Sequence, residues 1–371
     1  MVDLHTQYQK IKGEIDEAMQ QVIDSSAFIN GPQVKQFQEH LEEYLQVESV
    51  IPCANGTDAL QIALMALDLK PGDEVITPDF TFISTVEVVK LLGLKPVLVD
   101  VDEHTFNIDP EKVEQAISPK TKAIVPVHLY GQCADMSRIM KIAQKNNLKV
   151  IEDSAQALGA DYYEGKKSRK AGTIGDIGCT SFFPSKNLGA YGDGGAIYTN
   201  DKVLAKRLKS ITNHGSTVKY YHDHVGVNSR LDTLQAAILD VKLKYLDEYN
   251  EARQTAATFY NRELHSIDEL VIPQKNSFTS HIYHQYTIQL SGDQDREEFR
   301  EFLKSKGIPT MVYYPVPMHL QKAFNKNEYK KGDFPISEKL SQRVLSLPMH
   351  TEMDSEQLAY ITETIQSYFK H

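Results

Sequence analysis

Cysteine is scarce: Cys53, Cys133 and Cys179 are the only three in 371 residues, far apart and never in C-x-x-C spacing. That set builds neither a disulfide framework nor a structural zinc site, and a reducing cytoplasm is the expected home. Long apolar runs are missing as well. The opening stretch MVDLHTQYQKIKGEIDEAMQ mixes charge with apolar residues and lacks the core of a signal peptide, and nothing approaches the length of a membrane span. The expectation is a soluble, unprocessed chain. There is no long basic block, and the formal net charge is -10. Nucleic acid and anionic membranes are therefore poor partners, since no segment could release phosphate counterions. Internal repeats, low-complexity tracts and Gly/Ser linkers do not occur. Two nucleotide signatures are also absent: no G-x-x-x-x-G-K-[ST] occurs, and no G-x-G-x-x-G follows the first strand, which counts against ATP and NAD.

What remains is an ordinary globular composition, 41% hydrophobic and 24% charged, in a chain long enough for a large domain and a smaller one. Between about 50 and 200, short apolar runs alternate with helical patterns: 73–78, 95–101, 122–127, 149–153, 179–183 and 195–200. Several are apolar throughout their middle, as strands buried on both faces are, which predicts an α/β domain with a mainly parallel sheet. Leu231, Leu234, Ile238 and Val241 then follow helical spacing, and the pattern runs on to about Leu264, predicting one long helix. Beyond it HQYTIQL (284–290), a helix near 295–306 and PTMVYYPVP (309–317) suggest a smaller α+β domain, with the division placed at 1–240 and 241–371.

Ligands of such sheets gather where strands end. In KVIEDSAQALGA, Asp153 ends a strand and Gln156 follows three residues later; Asp153 is either a cap for a following helix or a buried acceptor for a heterocyclic N–H. CANGTDAL offers Gly56, Thr57 and Asp58 at a helix start, a phosphate cradle or a plain N-cap. Phe82, in PDFTFIST, either stacks on a cofactor ring or fills core. In SFFPSKNLGAYGDGG, Lys186 follows a strand and precedes four glycines, with Pro184 restricting the backbone before it. A placed, partly desolvated lysine can form a Schiff base, and Ser181 lies five residues earlier as a further phosphate ligand. In GVNSRLD, Asn228 and Arg230 stand before the long helix; Arg230 could fork a carboxylate or phosphate, or pair with Asp232. The pairs His222/His224 and His281/His284 look metal-like but lack a third ligand at helical spacing, so no metal is expected.

NGTDAL, PDFTFIST, EDSAQALGA, SFFPSKNLGAYGDGG and GVNSRLDTLQAAIL, in this order, resemble the nucleotide-sugar aminotransferases of the DegT/DnrJ/EryC1/StrS family, over about residues 4–350. HLYGQCADM and CANGTDALQIALMAL look closest to the branch that aminates C3 of UDP-2-acetamido-2-deoxy-3-oxo-glucuronate for bacterial surface polysaccharide (lipopolysaccharide O-antigen) assembly. The resemblance implies the aspartate aminotransferase-like fold, type I of the pyridoxal-phosphate (PLP) enzymes, with a cytoplasmic location. It implies that Lys186 holds pyridoxal 5'-phosphate covalently and shuttles a proton, with Asp153 on the pyridine nitrogen. Gln156 is implied on the ring's 3' oxygen, Phe82 on its face, and Gly56, Thr57, Asp58 and Ser181 around the phosphate. Asn228 is implied to reach that phosphate from the second subunit of a homodimer. L-glutamate is the implied donor and a UDP-linked keto-sugar the acceptor, touched by Ser26, Phe28, Ser185, Arg230, Tyr313 and Tyr314. Phe28 stands where a tyrosine is familiar in that branch, and Tyr313 where a histidine is. Other readings are a C4 aminotransferase of a UDP- or dTDP-4-keto-6-deoxy sugar, a dehydratase of the family, and a non-catalytic regulatory homologue. The dehydratases carry histidine in place of the lysine, and a pure binder has no use for Lys186, Asp153, Gln156 and Thr57 together.

Overall fold

Buried, β-branched segments make the strands, and the computed structural model, which describes residues 2–218, 220–292, 294–324 and 328–370, joins seven of them into one sheet. In chain order these elements are β1 (Ser49–Cys53), β2 (Glu74–Pro78), β3 (Lys95–Val99), β4 (Thr121–Ile124) and β5 (Lys149–Asp153). A separate hairpin of β6 (Asp161–Glu164) and β7 (Lys167–Lys170) comes next, then β8 (Ile177–Ser181) and β9 (Gly195–Thr199). The spatial order is β1-β9-β8-β5-β4-β2-β3, and β9 alone runs against the rest. Strand order reverses at β2, which lies between β3 and β4, so the loops after β2 and β4 diverge and leave a crevice at the carboxyl edge. All six runs read from the sequence are strands, with ends shifted by up to a few residues. β1 escaped that reading because Ser49 and Pro52 interrupt its apolar pattern. Proline is tolerated there because β1 is an edge strand, paired only with β9.

Helices pack around the sheet: α1 (Leu4–Ser25), α2 (Pro32–Leu45), α3 (Gly56–Met65), α4 (Ser84–Leu91), α5 (Pro110–Ala116), α6 (Met136–Asn146) and α7 (Lys202–Thr212). A small hairpin, β10 (Ser216–Val218) with β11 (Tyr221–His222), follows. The long helix expected over 231–264 is two helices, α8 (Thr233–Leu243) and α9 (Leu246–Leu264), broken at Lys244–Tyr245. Burial explains the break. From Ala236 to Leu243 every residue of α8 is buried, whereas α9 buries one stripe, Leu246, Tyr249, Asn250, Arg253, Ala256, Ala257, Tyr260 and Leu264. The two helices thus meet different surroundings on the two sides of the break.

The α9 stripe packs on a second, antiparallel sheet of β12 (Leu270–Val271), β13 (Tyr286–Leu290) and β14 (Val344–Leu347). Flanking it are α10 (Arg296–Ser305), α11 (Pro335–Arg343) and α12 (Ser355–Phe369). PTMVYYPVP is not a strand: Met311 makes a single bridge to Ser346 and the rest is irregular. Pro315 and Pro317 supply no N–H for a ladder. The segment instead crosses to the large sheet, where the Met318 N–H donates to the Asp79 carbonyl at 2.9 Å. Among the described residues no helix is long and apolar enough to cross a membrane.

Candidate active site

Asp153 sits at the carboxyl end of β5, in the middle of the sheet. Its Oδ2 accepts from the Thr85 hydroxyl at 2.9 Å and its Oδ1 from the Ala155 N–H at 3.2 Å. No helix follows it; residues 155–159 form turns, so the helix-cap reading does not hold. Burial raises its pKa, while Thr85, the Ala155 N–H and the Lys186 charge pull it back. A buried carboxylate in that state gains most from a nearby cationic N–H. Its backbone is fixed too: the His128 N–H donates to the Asp153 carbonyl at 2.9 Å, and the His128 ring bonds the buried Glu152 at 2.8 Å. Glu152 in turn accepts from the Gly172 and Ile174 N–H groups.

Gln156 is oriented by a bond that admits one direction. The Tyr130 N–H can only donate, so the Gln156 carbonyl faces it at 2.7 Å and the amide nitrogen points out to the Tyr314 hydroxyl at 3.0 Å. Any group bound in the crevice therefore meets a donor at Gln156.

Lys186 lies on the turn after β8, closed by its own N–H on the Phe183 carbonyl at 2.8 Å. Gly189 completes that turn: a Cβ there would lie 2.2 Å from the Pro184 carbonyl oxygen, so the chain can return only through glycine. Burial lowers the Lys186 amine to a pKa of about 8, with Asp153 opposing the shift. That is the state a nucleophilic lysine needs near neutral pH.

Asn55 caps α3, its side chain accepting from the Asp58 N–H at 2.8 Å. The cap thus spends the Asp58 N–H and leaves those of Gly56 and Thr57 at the open end of the helix. The Thr57 hydroxyl meets Ser84 at 2.7 Å, joining the starts of α3 and α4. A Cβ on Gly56 would lie 2.6 Å from the Ser181 Cβ, and one on Gly195 would lie 2.5 Å from the Asn55 carbonyl, so α3 begins flush against the ends of β8 and β9. Gly195→Ala should push this first turn away. The expected result is a loss of about 1–3 kcal/mol of stability by thermal melt and at least about tenfold weaker cofactor binding by titration.

Phe82 is not core; it is 53% exposed, with its ring 6.2 Å from that of Tyr314. Tyr313 lies beside Tyr314, its carbonyl accepting from the Tyr130 hydroxyl. Ser181 and Ser185 flank the lysine turn, both partly exposed. An anion cradle, an amine, a carboxylate, an outward amide donor and an open aromatic face thus meet at one sheet edge. They fit a phosphorylated, aldehyde-bearing pyridine such as PLP: a phosphate at α3, a ring nitrogen at Asp153, a ring oxygen at Gln156 and a carbonyl carbon at Lys186.

The other expected residues lie elsewhere in the chain. Ser26 ends α1 in a left-handed conformation, Phe28 is 46% exposed, and the Phe28 carbonyl accepts from the Thr233 N–H. Ser229 is buried and accepts from the Ala54 N–H at 3.0 Å, and its neighbour Asn228 is exposed. Arg230 lines a recess of about 710 Å³ that also takes in Lys35, Lys206 and Lys209 but none of the Lys186-side residues. Arg230 makes no ion pair with Asp232 or any other described residue. His222 bonds the His214 carbonyl, and among the described residues no three His, Cys, Asp or Glu side chains gather as a metal set. Thr85, Asn55, Tyr130 and the His128–Glu152 pair were not singled out from sequence; all lie within quoted motifs, but their partners are set by strand order.

The chain matches the model of the DegT/DnrJ/EryC1/StrS aminotransferase family over residues 9–366. It is 48% identical over 373 residues to a Geobacillus stearothermophilus protein named "Pleiotropic regulatory protein", covering 100% of this chain and 98% of that one. It is 46% identical over 360 residues to the UDP-2-acetamido-2-deoxy-3-oxo-D-glucuronate aminotransferase of Pseudomonas aeruginosa, covering 97% of each. Among solved structures, a DegT DnrJ EryC1 StrS aminotransferase from Brucella abortus superposes with a TM-score of 0.94 at 40% identity, over 100% of this chain and 99% of that one.

Proposed function

The chain belongs to the DegT/DnrJ/EryC1/StrS aminotransferase family, and from that membership we propose that it transfers the amino group of L-glutamate to C3 of UDP-2-acetamido-2-deoxy-3-oxo-glucuronate, in bacterial surface-polysaccharide synthesis. That it is a PLP-dependent sugar aminotransferase of fold type I follows from the family itself. The observation that carries the reading of its site is the meeting of Lys186, Asp153 and Gln156 at the carboxyl edge of the sheet, on the neighbouring strand ends of β5 and β8.

PLP, when bound, supplies an electron sink for the bonds at the substrate carbon. The protein's residues do the rest. Lys186 Nζ anchors the cofactor and, once displaced, takes and returns a proton at that carbon. Asp153 holds the proton on the ring nitrogen, Gln156 donates to the ring oxygen, and Phe82 covers one ring face. Gly56, Thr57 and Ser181 hold the phosphate; the expected Asp58 contact has no free N–H to make it, because Asn55 takes that donor. Asn228 is exposed beside the anchored Ser229, a placement that supports its completing the site of a second copy in a homodimer. Ser26, Phe28, Ser185, Tyr313, Tyr314 and Arg230 contact the sugar nucleotide. Arg230 lies in a recess with three lysines that none of the Lys186-side residues line, so its contact with the sugar nucleotide belongs to the site of a second copy, where the uncommitted guanidinium suits a carboxylate.

Offered a panel of UDP- and dTDP-linked keto-sugars with glutamate, the enzyme should release 2-oxoglutarate with the 3-oxo-glucuronate. Turnover on a 4-keto-6-deoxy sugar alone would move the reaction to C4 and overturn the substrate. Arg230→Lys should cost about 1.5–3 kcal/mol in kcat/KM, or about 10- to 150-fold, with a uronate substrate. An unchanged kcat/KM would remove Arg230 from carboxylate recognition.

A further inference from the structure

His281 and His284 belong to a motif that the cofactor site leaves unused, and their surroundings differ. His281 stacks on Tyr283, centroids 3.8 Å apart, and its Nδ1 accepts from the Tyr283 N–H. His284 faces the lysine turn: its Nδ1 lies 3.1 Å from Oδ1 of Asn187, the residue directly after Lys186. Asn187 is buried, and its amide nitrogen donates to Asn250 Oδ1 at 2.6 Å and to the Ile282 carbonyl at 3.4 Å. A backbone carbonyl can only accept, which fixes the direction of the Asn187 amide. Its oxygen therefore faces the imidazole, and His284 Nδ1 carries the proton. Burial and the charges of Lys186 and Arg253 hold that imidazole neutral, its pKa well below the ordinary histidine value.

Asn250 and Arg253 share one face of α9. Arg253 is buried without a carboxylate partner among the described residues, and one of its nitrogens donates to the carbonyls of Tyr283, His284 and Met349 at 3.2–3.3 Å. So α9 holds the backbone of His284 through Arg253 and the side chain of Asn187 through Asn250. The chain beyond Lys186 offers little stiffness of its own, with glycine at 189, 192, 194 and 195.

We propose that His284, Asn187 and Asn250 form a positioning relay that registers the Lys186 turn against α9 and the second sheet, with His284 acting on the lysine only through Asn187. The inference rests on Lys186 being the cofactor anchor. A lysine that leaves and regains a covalent partner in each cycle must return to the same place, and a displacement of about 1 Å costs about 10²-fold in rate.

The test uses holoenzyme carrying His284→Leu, His284→Asn or His284→Gln, folding being checked by circular dichroism. His284→Leu should lower kcat about 10²-fold with KM for the keto-sugar changed less than about twofold. It should also move the pH midpoint of the resting holoenzyme's visible absorbance. His284→Asn, whose amide nitrogen falls where Nδ1 was, should restore both readouts, and His284→Gln should not. An unmoved midpoint and kcat in His284→Leu overturns the relay. Should His284→Leu not fold, the Asn and Gln variants decide, and equal behaviour of those two overturns it as well. Borohydride reduction of Lys186→Ala separates this outcome from failure of the anchor: a cofactor still fixed covalently in that variant sinks the anchor, whatever His284 does.

Discussion

Lys186→Ala yields a folded protein that takes up PLP without fixing it covalently and turns over about 10⁴-fold more slowly. The size of the loss follows from two roles in one atom. The amine presents the cofactor for exchange with the incoming amino group, and then relays the proton at the substrate carbon, and no other amine among the described residues is placed to substitute. Among the described residues Lys242 is the other strongly desolvated lysine, and its ammonium is tied to the Gly189 carbonyl. The measurement is mass after borohydride reduction together with kcat; a variant keeping more than a tenth of the activity would sink the assignment. The same amine gives a pH dependence. Because burial lowers its pKa from 10.5 to about 8, it is protonated and unreactive below that value. Cofactor loading of the apo-protein should rise about tenfold per unit up to pH 8 and then level off. The sign for stability agrees: a lysine depressed in the folded state penalises folding most below pH 8, and the penalty fades as pH rises towards 10.5.

Asp153→Asn is expected to keep covalent attachment while lowering kcat by about 2–5 kcal/mol, or about 30- to 5,000-fold. An amide cannot stabilise a protonated ring nitrogen, and the loss falls on the chemical step because the carboxylate matters most when charge develops on the ring. Its stability effect has the opposite sign in the apo-protein. Burial raises the Asp153 pKa, so the folded state carries an ionisation penalty at all pH values above the unfolded pKa of 3.8. Removing that charge should make the apo-protein more stable by about 1 kcal/mol near neutral pH. With PLP bound the ranking should reverse, because only the aspartate pairs with the ring. Equal melting temperatures of wild type and variant in both states would count against a charge partnership.

Much of this was legible in the sequence, because strand-end motifs are local. The run ending at Asp153 is a buried strand, and the run read at 179–183 overlaps β8, which ends two residues earlier at Ser181; the residues after both lie at the sheet's carboxyl edge. PDFTFIST and CANGTDAL carry their own turn and helix start. Other features were not legible because they depend on partners far along the chain. Asn55, not the three residues after it, caps α3, and that shows only when the helix is seen against β8 and β9. The break between α8 and α9 leaves no proline or glycine mark; it comes from two different packing environments. Val312–Tyr314 reads as a strand by composition and is irregular, because its partners are Tyr130 and Gln156 rather than a neighbouring strand. The Arg230–Asp232 pair, natural at that spacing, does not form.

The sequence by itself determined the parallel core, the strand ends that carry the chemistry, and the types of group found there, since buried runs and special turn residues act over a few positions. Tertiary structure alone decided which of those groups face one another. Strand order brings Thr85 to Asp153 across 68 positions and Tyr130 to Gln156 across 26. It sets Asn187 between α9 and His284, and it turns Arg230 into a recess that none of the Lys186-side residues line. Contacts of that separation depend on how the elements stack, and no local preference encodes them.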